Sequence, residues 1–160
     1  MKEMKVTTVY TEYDSVAELP TEAQHLMNQA VESRAKAYAP YSKFRVGAAI
    51  LLDNGKVILG NNQENAAYPS GLCAERAALY HVGSNYPDAK ILQIAITAAA
   101  DQGETNRPIP PCGNCRQSIA EYESKQKSPI EIYFTGKTGP VYKSDSLKDL
   151  LPFTFDKDYL

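Results

Sequence analysis

Three cysteines, Cys73, Cys112 and Cys115, are all the thiols the chain has, and Glu75 lies two residues beyond the first of them. Cys112 and Cys115 are three apart, so on a helix they share a face and can chelate one ion. Three thiolates can hold a zinc ion and leave one position open for water, and a carboxylate beside that water can move its protons. A redox pair uses the same Cys-x-x-Cys spacing but needs neither a third cysteine nor Glu75 beside it. A closed structural zinc site wants four protein ligands, and both histidines, His25 and His81, fall within helix-like stretches. The residue types therefore favour a catalytic zinc centre that hydrolyses its substrate with metal-activated water. Glu75 is not expected as a ligand, because positions i and i+2 diverge on a regular helix. It can still flank a pocket in front of the helix.

Three thiolates around a divalent ion leave a net negative charge, which blunts the acidification of a bound water. Two features oppose this. Both cysteine segments open helices, whose N-termini carry positive partial charge and free N–H groups. Arg76 follows Cys73 by three residues and Arg116 follows Cys115 directly. A unit charge about 4 Å from a thiolate is worth up to ~4 kcal/mol at an effective dielectric of about 20.

The elements that must position these groups follow from pattern. Thr21 opens a helix with Gln24 as a capping-box partner. Ala23, Leu26, Met27, Ala30, Val31 and Arg34 fall on one face of it, and it ends near Tyr38 before Pro40. Arg45 to Asp53 and Val57 to Gly60 read as a hairpin around the Asn54-Gly55 turn. A polar loop over residues 61–71 leads to a helix from Leu72 to about Val82, stopped by Gly83. Lys90 to Ala99 is apolar enough for a central strand. After the 101–110 loop a second cysteine-bearing helix runs to about Tyr122. Pro129 to Thr135 and Val141-Tyr142 are further strands, and Ser146 caps a short helix to Leu151 before Pro152. Residues 1–19 read as an N-terminal arm whose stretch Val6 to Tyr13 could form an edge strand, and residues 20–160 as a single domain. The order predicts an α/β fold with one mixed sheet, helices on both faces, and both cysteine-bearing helices starting at one end of the sheet.

Bulk properties bound the function. The chain has 160 residues, 43% hydrophobic and 22% charged, with a formal charge of -2. That suits one globular domain and gives no basic excess for extended contact with nucleic acid. No apolar run approaches the roughly 18 residues of a membrane span, and Met1-Lys2-Glu3-Met4-Lys5 leads into no apolar signal segment. An odd cysteine count without an export signal argues against a disulfide framework and for the cytoplasm.

Cys73-Ala74-Glu75-Arg76 followed by Pro111-Cys112-Gly113-Asn114-Cys115-Arg116-Gln117 resembles the zinc-dependent cytidine deaminases, with Cys73 in the histidine position of the wider His-x-Glu and Pro-Cys-x-x-Cys signature. Ala39-Pro40-Tyr41-Ser42-Lys43-Phe44, Asn62-Gln63-Glu64-Asn65-Ala66-Ala67-Tyr68-Pro69 and Leu150-Leu151-Pro152-Phe153-Thr154-Phe155 extend the resemblance from about residue 20 to the C-terminus, toward the free-nucleoside enzymes with small homotetrameric subunits.

The resemblance implies a three-layer α/β/α fold with an approximately five-stranded sheet, and hydrolytic deamination of cytidine and deoxycytidine to uridine and deoxyuridine with loss of ammonia, a step of pyrimidine salvage. It implies zinc on Cys73, Cys112 and Cys115, with Glu75 as proton shuttle. Asn62 and Glu64 would meet the ribose 3′-hydroxyl and Phe44 would pack on the ligand. The Ala74 N–H would hold the base carbonyl, and the Pro110 carbonyl would accept from departing ammonia. Pro110 stands where Ser or Thr is usual, which keeps the carbonyl, and Gln63 stands where Val or Ile is common. Tyr68 and Phe155 would reach a neighbouring subunit's site in a homotetramer. Rival readings are a deaminase of another cytosine nucleoside such as blasticidin S, a catalytically silent zinc module, and a polynucleotide deaminase. The acidic balance and the ribose-contacting loop oppose the last.

Overall fold

The computed structural model describes all 160 residues. One mixed six-stranded sheet lies between two helical layers. Its strands are β1 (Thr11–Tyr13), β2 (Phe44–Leu52), β3 (Val57–Asn61), β4 (Ile91–Ala100), β5 (Glu131–Thr135) and β6 (Val141–Ser144), in the spatial order β1-β6-β5-β4-β2-β3. Only β4 and β5 pair in parallel. Helix α1 (Thr21–Ala35) covers one face, where Leu26, Met27 and Ala30 pack with Ala49, Leu51, Ala95 and Tyr133. Helices α2 (Ala74–Asn85) and α3 (Gly113–Gln126) cover the other, where Leu79, Val82 and Ile119 meet Ile50, Ile94, Ile96, Ile132 and Phe134. Alternate residues of β2 and β4 thus serve opposite layers, as the period of two requires.

The sixth strand is β1. The resemblance implies about five, but Thr11–Tyr13 adds antiparallel to β6, and Tyr10 stacks on Tyr142 with ring centroids 4.6 Å apart. The pairing occupies only the last three residues of the Val6–Tyr13 stretch.

Several boundaries differ from expectation for identifiable reasons. The capping box at Thr21 does not form. Pro20 takes the N-cap position, and Gln24 Nε2 donates instead to the carbonyls of Ala17 and Leu19, at 3.1 and 2.8 Å. The buried face of α1 includes Ser33, which donates to the Gly60 carbonyl, while Val31 is exposed. Helix α2 runs through Gly83. A Cβ there would lie 2.2 Å from the Tyr122 hydroxyl of α3, so this glycine permits helix–helix contact and does not stop the helix. Helix α3 runs to Gln126, where Lys127 adopts left-handed angles (φ 53°) as its cap. The Ser146 helix shrinks to one 3₁₀ turn, Leu147–Asp149, although Ser146 Oγ does accept from the Lys148 N–H.

Gly60 decides where α2 starts. A Cβ on it would lie 2.3 Å from the Ala74 carbonyl oxygen and 2.6 Å from the Ala78 nitrogen. No L side chain fits without displacing the first turn of α2 from β3. Overpacking of this kind costs about 1–3 kcal/mol. Gly60→Ala is therefore expected to lower Tm by several degrees, measured by calorimetry. Gly113→Ala, at a glycine whose Cβ would meet nothing within 4 Å, should leave Tm nearly unchanged.

Candidate metal centre and surrounding cleft

Strands β3 and β4 end on the same side of the sheet, because β2 runs antiparallel to both. The segments leaving them lead to α2 and α3, whose N-termini meet there. Cys73 is the N-cap of α2 and Cys112 the N-cap of α3, both in extended conformation and neither using its side chain to cap. Both sulfurs are thus free for another partner. Cys73 Sγ lies 3.9 Å from Cys112 Sγ, Cys112 Sγ 3.5 Å from Cys115 Sγ, and all three within 4.8 Å of one another. Sulfurs on a tetrahedron with Zn–S bonds of about 2.3 Å are about 3.8 Å apart. The donor set fits one zinc ion, with Cys115 fully buried at the back and Cys112 exposed. His25 and His81 lie in the bodies of α1 and α2 and supply no fourth ligand to the cluster.

Electrostatics around the sulfurs follow from the two helix ends and Arg76. Arg76 Nη2 donates to Cys73 Sγ at 3.6 Å, and its Nε is buried without a hydrogen-bond partner. Cys73 is pulled down to about 5, first by the Cys115 thiol beside it and then by Arg76, against the opposing effect of burial. Cys115 is pushed up, by Cys73 beside it and by burial. Glu75 is 5% exposed in the first turn of α2, and burial, then the nearby Cys73 charge, raises its proton affinity. Arg116 does not join Arg76 at the thiols. Its Nε donates to the Pro111 carbonyl and its Nη1 to the Leu150 carbonyl, both at 2.8 Å, tying the C-terminal segment to the start of α3.

The polar loop after β3 is held extended. Asn62 O accepts from the Tyr38 N–H, Glu64 N donates to Tyr38 O, and Gln63 exchanges two bonds with Leu72, the residue before Cys73. Asn62 and Glu64 therefore face one way, toward the segment from Tyr41 to Val46. The Asn62 side chain acts as a substitute strand partner, accepting from Val46 N at 2.7 Å and donating to Phe44 O at 2.9 Å. Glu64 Oε2 accepts from the backbone N–H groups of Tyr41 and Ser42 at 2.9 and 3.2 Å. The Ser42 hydroxyl and these two N–H groups hold the Glu64 carboxyl below the usual carboxylate range. Phe44 is half-buried at the start of β2, on the face that carries α2 and α3, since Val46 two residues on packs into that core.

Ala74 is fully buried as the first residue of α2, where a helix has N–H groups without intrahelical partners. Pro110 directly precedes the Pro111-Cys112 segment. Its loop is fixed by Ala100 N donating to Thr105 Oγ1 and by Lys137 N donating to Thr105 O. Tyr68 and Phe155 stay at the surface, 90% and 58% exposed, and the ring stacked on Phe155 is Tyr159. Phe155 is held through its backbone, whose carbonyl accepts from Gln117 Nε2 at 2.7 Å. Ser42 and Gln117 stand within the quoted motifs, which give neither a role. Ser42, two residues before Phe44, carries the pattern of a hydroxyl that bonds back to the chain, and its Oγ does accept from Phe44 N. An open cleft between α1 and the β2–β3 hairpin, lined by His25, Leu26, Leu51 and Val57, lies at the far end of the sheet and holds none of these groups.

A zinc-binding α/β enzyme is the class that this fold and cluster define. Residues 20–128 match the family described as the cytidine and deoxycytidylate deaminase zinc-binding region. The chain is 40% identical over 132 residues to a cytidine deaminase of Halalkalibacterium halodurans, covering 82% of this chain and 92% of that one. It is 36% identical over 138 residues to a cytidine deaminase of Mycobacterium tuberculosis, covering 84% and 90%. Among solved structures, cytidine deaminase from Burkholderia pseudomallei superposes with a TM-score of 0.72 at 40% identity, covering 86% of this chain and all of the other. The Mycobacterium tuberculosis enzyme does so with a TM-score of 0.65 at 33% identity, covering 86% and 99%. The chain belongs to the zinc-dependent cytidine deaminase family.

If the three sulfurs hold the ion together, loss of any one removes most of it. Cys73→Ala, Cys112→Ala and Cys115→Ala are each expected to lower zinc from about one per chain to a small fraction under dialysis against a weak chelator, read by elemental analysis. Retention of full zinc by two or more of the variants would rule out the three-thiolate site.

Proposed function

We propose that the protein catalyses hydrolytic deamination of cytidine and deoxycytidine, giving uridine or deoxyuridine and ammonia. The observation that carries this reading is the buried Glu75 carboxyl at the start of α2, in the same turn that begins with Cys73 and beside the three-sulfur cluster. Cys73, Cys112 and Cys115 would hold zinc, which would supply the Lewis acidity that activates a water.

Glu75 takes the proton that this water loses and delivers it to N3 of the cytosine ring, which makes C4 electrophilic. The water oxygen bonds to C4, Glu75 carries the remaining proton of the new C4 hydroxyl to the exocyclic amine, and the C4–N bond breaks, leaving a C4 carbonyl and releasing ammonia. The Ala74 N–H holds the base carbonyl, and the Pro110 carbonyl accepts from the departing ammonia. Arg76 offsets thiolate charge, so that the centre stays acidic. Phe44 packs on the ligand, and the Asn62 side-chain amide donates to, and the Glu64 carboxylate accepts from, the ribose 3′-hydroxyl, leaving no room for a 3′ phosphodiester. That favours a free nucleoside over a polynucleotide.

Residues 20–160 form the catalytic domain in this reading, with residues 1–19 as an arm. The exposed rings of Tyr68 and Phe155 support a homotetramer in which each completes a neighbour's site. Three grouped thiols suit a reducing compartment, which supports a cytoplasmic role in pyrimidine salvage. No helix is long and apolar enough to cross a membrane.

Glu75→Ala is expected to retain zinc and to lose turnover by on the order of 10⁴-fold, read as the fall in cytidine absorbance. Substantial residual activity would remove Glu75 from the role of shuttle. The wild-type protein should lose activity on chelation and regain it with zinc, and should prefer cytidine to blasticidin S in parallel assays. Phe155→Ala should raise KM in a protein whose mass by light scattering remains that of four chains. A fully active monomer would exclude shared sites.

A further inference from the structure

The backbone around Phe44 is fixed by a contact that lies outside the metal centre. Lys43 adopts left-handed angles, φ 55°, a strained conformation for a residue with a side chain that its surroundings must hold in place. Its N–H donates to Ala39 O at 3.1 Å, and its own carbonyl accepts from Asp101 N at 2.7 Å. Asp101 then grips the residue on the far side of Phe44. Arg45 Nε donates to Asp101 Oδ1 at 2.7 Å and Nη2 to Oδ2 at 3.4 Å, while Nη1 donates to Ala37 O at 3.1 Å. Phe44 is paired with Ala100, the residue before Asp101. One aspartate thus holds both chain neighbours of Phe44, by main chain and side chain.

Stability is a poor explanation for this fork. The Arg45 and Asp101 side chains are 39% and 32% exposed. Water competes for both groups of an ion pair open to solvent, so the pair adds little to stability. What a bidentate guanidinium–carboxylate pair does supply is direction. Along β2, Arg45 points to the α1 face and Phe44 to the opposite face, where α2 and α3 start, so fixing Arg45 fixes the angle at which Phe44 enters the cleft. Asp101 also begins the loop that ends at Pro110, so the same clip joins the start of β2 to the segment that leads to Cys112.

We infer that Asp101 and Arg45 are positioning residues for substrate binding, acting through the placement of Phe44. This rests on the reading of Phe44 as the residue that packs on the ligand. Packing on the base is much the same before and during reaction, so its loss appears in KM and leaves kcat nearly alone. Neither residue bonds to Glu75 or to the cysteines.

The test compares Asp101→Ala, Arg45→Ala, the double variant, Arg45→Lys and Phe44→Ala in the zinc-loaded protein, with KM and kcat for cytidine, Tm, and calorimetric binding of uridine. Each clip variant is expected to raise KM about 5–10-fold with kcat within about twofold, and to weaken uridine binding in proportion. The double variant should match the singles, because they break one interaction. Arg45→Lys should behave like Arg45→Ala, since an ammonium keeps the charge and loses the fork. Tm should move little. If Phe44→Ala raises KM and the clip variants do not, the clip is refuted while the role of Phe44 stands. If Phe44→Ala leaves KM unchanged, the reading of Phe44 fails and takes the inference with it. Clip variants that lose kcat and Tm together with KM would make the pair merely structural.

Discussion

Three sulfurs within 4.8 Å of one another repel strongly once ionised, and the architecture is arranged around making that arrangement tolerable. Two helices begin at the cluster, so partial positive charge converges on it from α2 and α3 at once. Arg76 adds a full charge from within α2. The helices can converge only because β3 and β4 end at the same edge of the sheet and because Gly60 lets the first turn of α2 lie against β3. A zinc ion completes the neutralisation begun by these groups.

Helix α3 is the element most heavily used. It opens with Cys112 and Cys115 and then presents Arg116 and Gln117 to the carbonyls of Leu150 and Phe155. Two turns further on, Glu123 is buried and accepts from Ile130 N, Leu147 N and Ser146 Oγ. The metal centre and the C-terminal aromatic segment are thereby carried by one rigid rod. Burying a carboxylate without a counter-ion is costly unless its lone pairs are filled, and here three donors fill them.

The cysteine cluster was more legible in the sequence than the packing was. The grouping of Cys73, Cys112 and Cys115 could be read because their type and spacing have few alternative uses, and helix starts at both cysteine segments followed from the preceding strands and prolines. Features that depend on three-dimensional approach were misread. Gly83 looks like a helix stop and is a contact point for Tyr122. Thr21 and Gln24 match a capping box, yet Pro20 occupies the cap. Arg116 sits beside a zinc-site cysteine in sequence and turns toward two carbonyls instead. Arg45 and Asp101 are 56 residues apart, and only the β2–β4 register brings them together.

The three-residue strand β1 has a consequence for how copies of the chain meet one another in crowded solution. Without it, β6 would form the sheet margin and offer unpaired N–H and C=O groups to any extended segment. With it, the margin is a strand too short to template much pairing, and the aromatic stack of Tyr10 on Tyr142 pins it there. The arm acts as a selvedge: it finishes the woven edge, so that association is steered away from backbone pairing at this margin and toward surfaces that carry side-chain information.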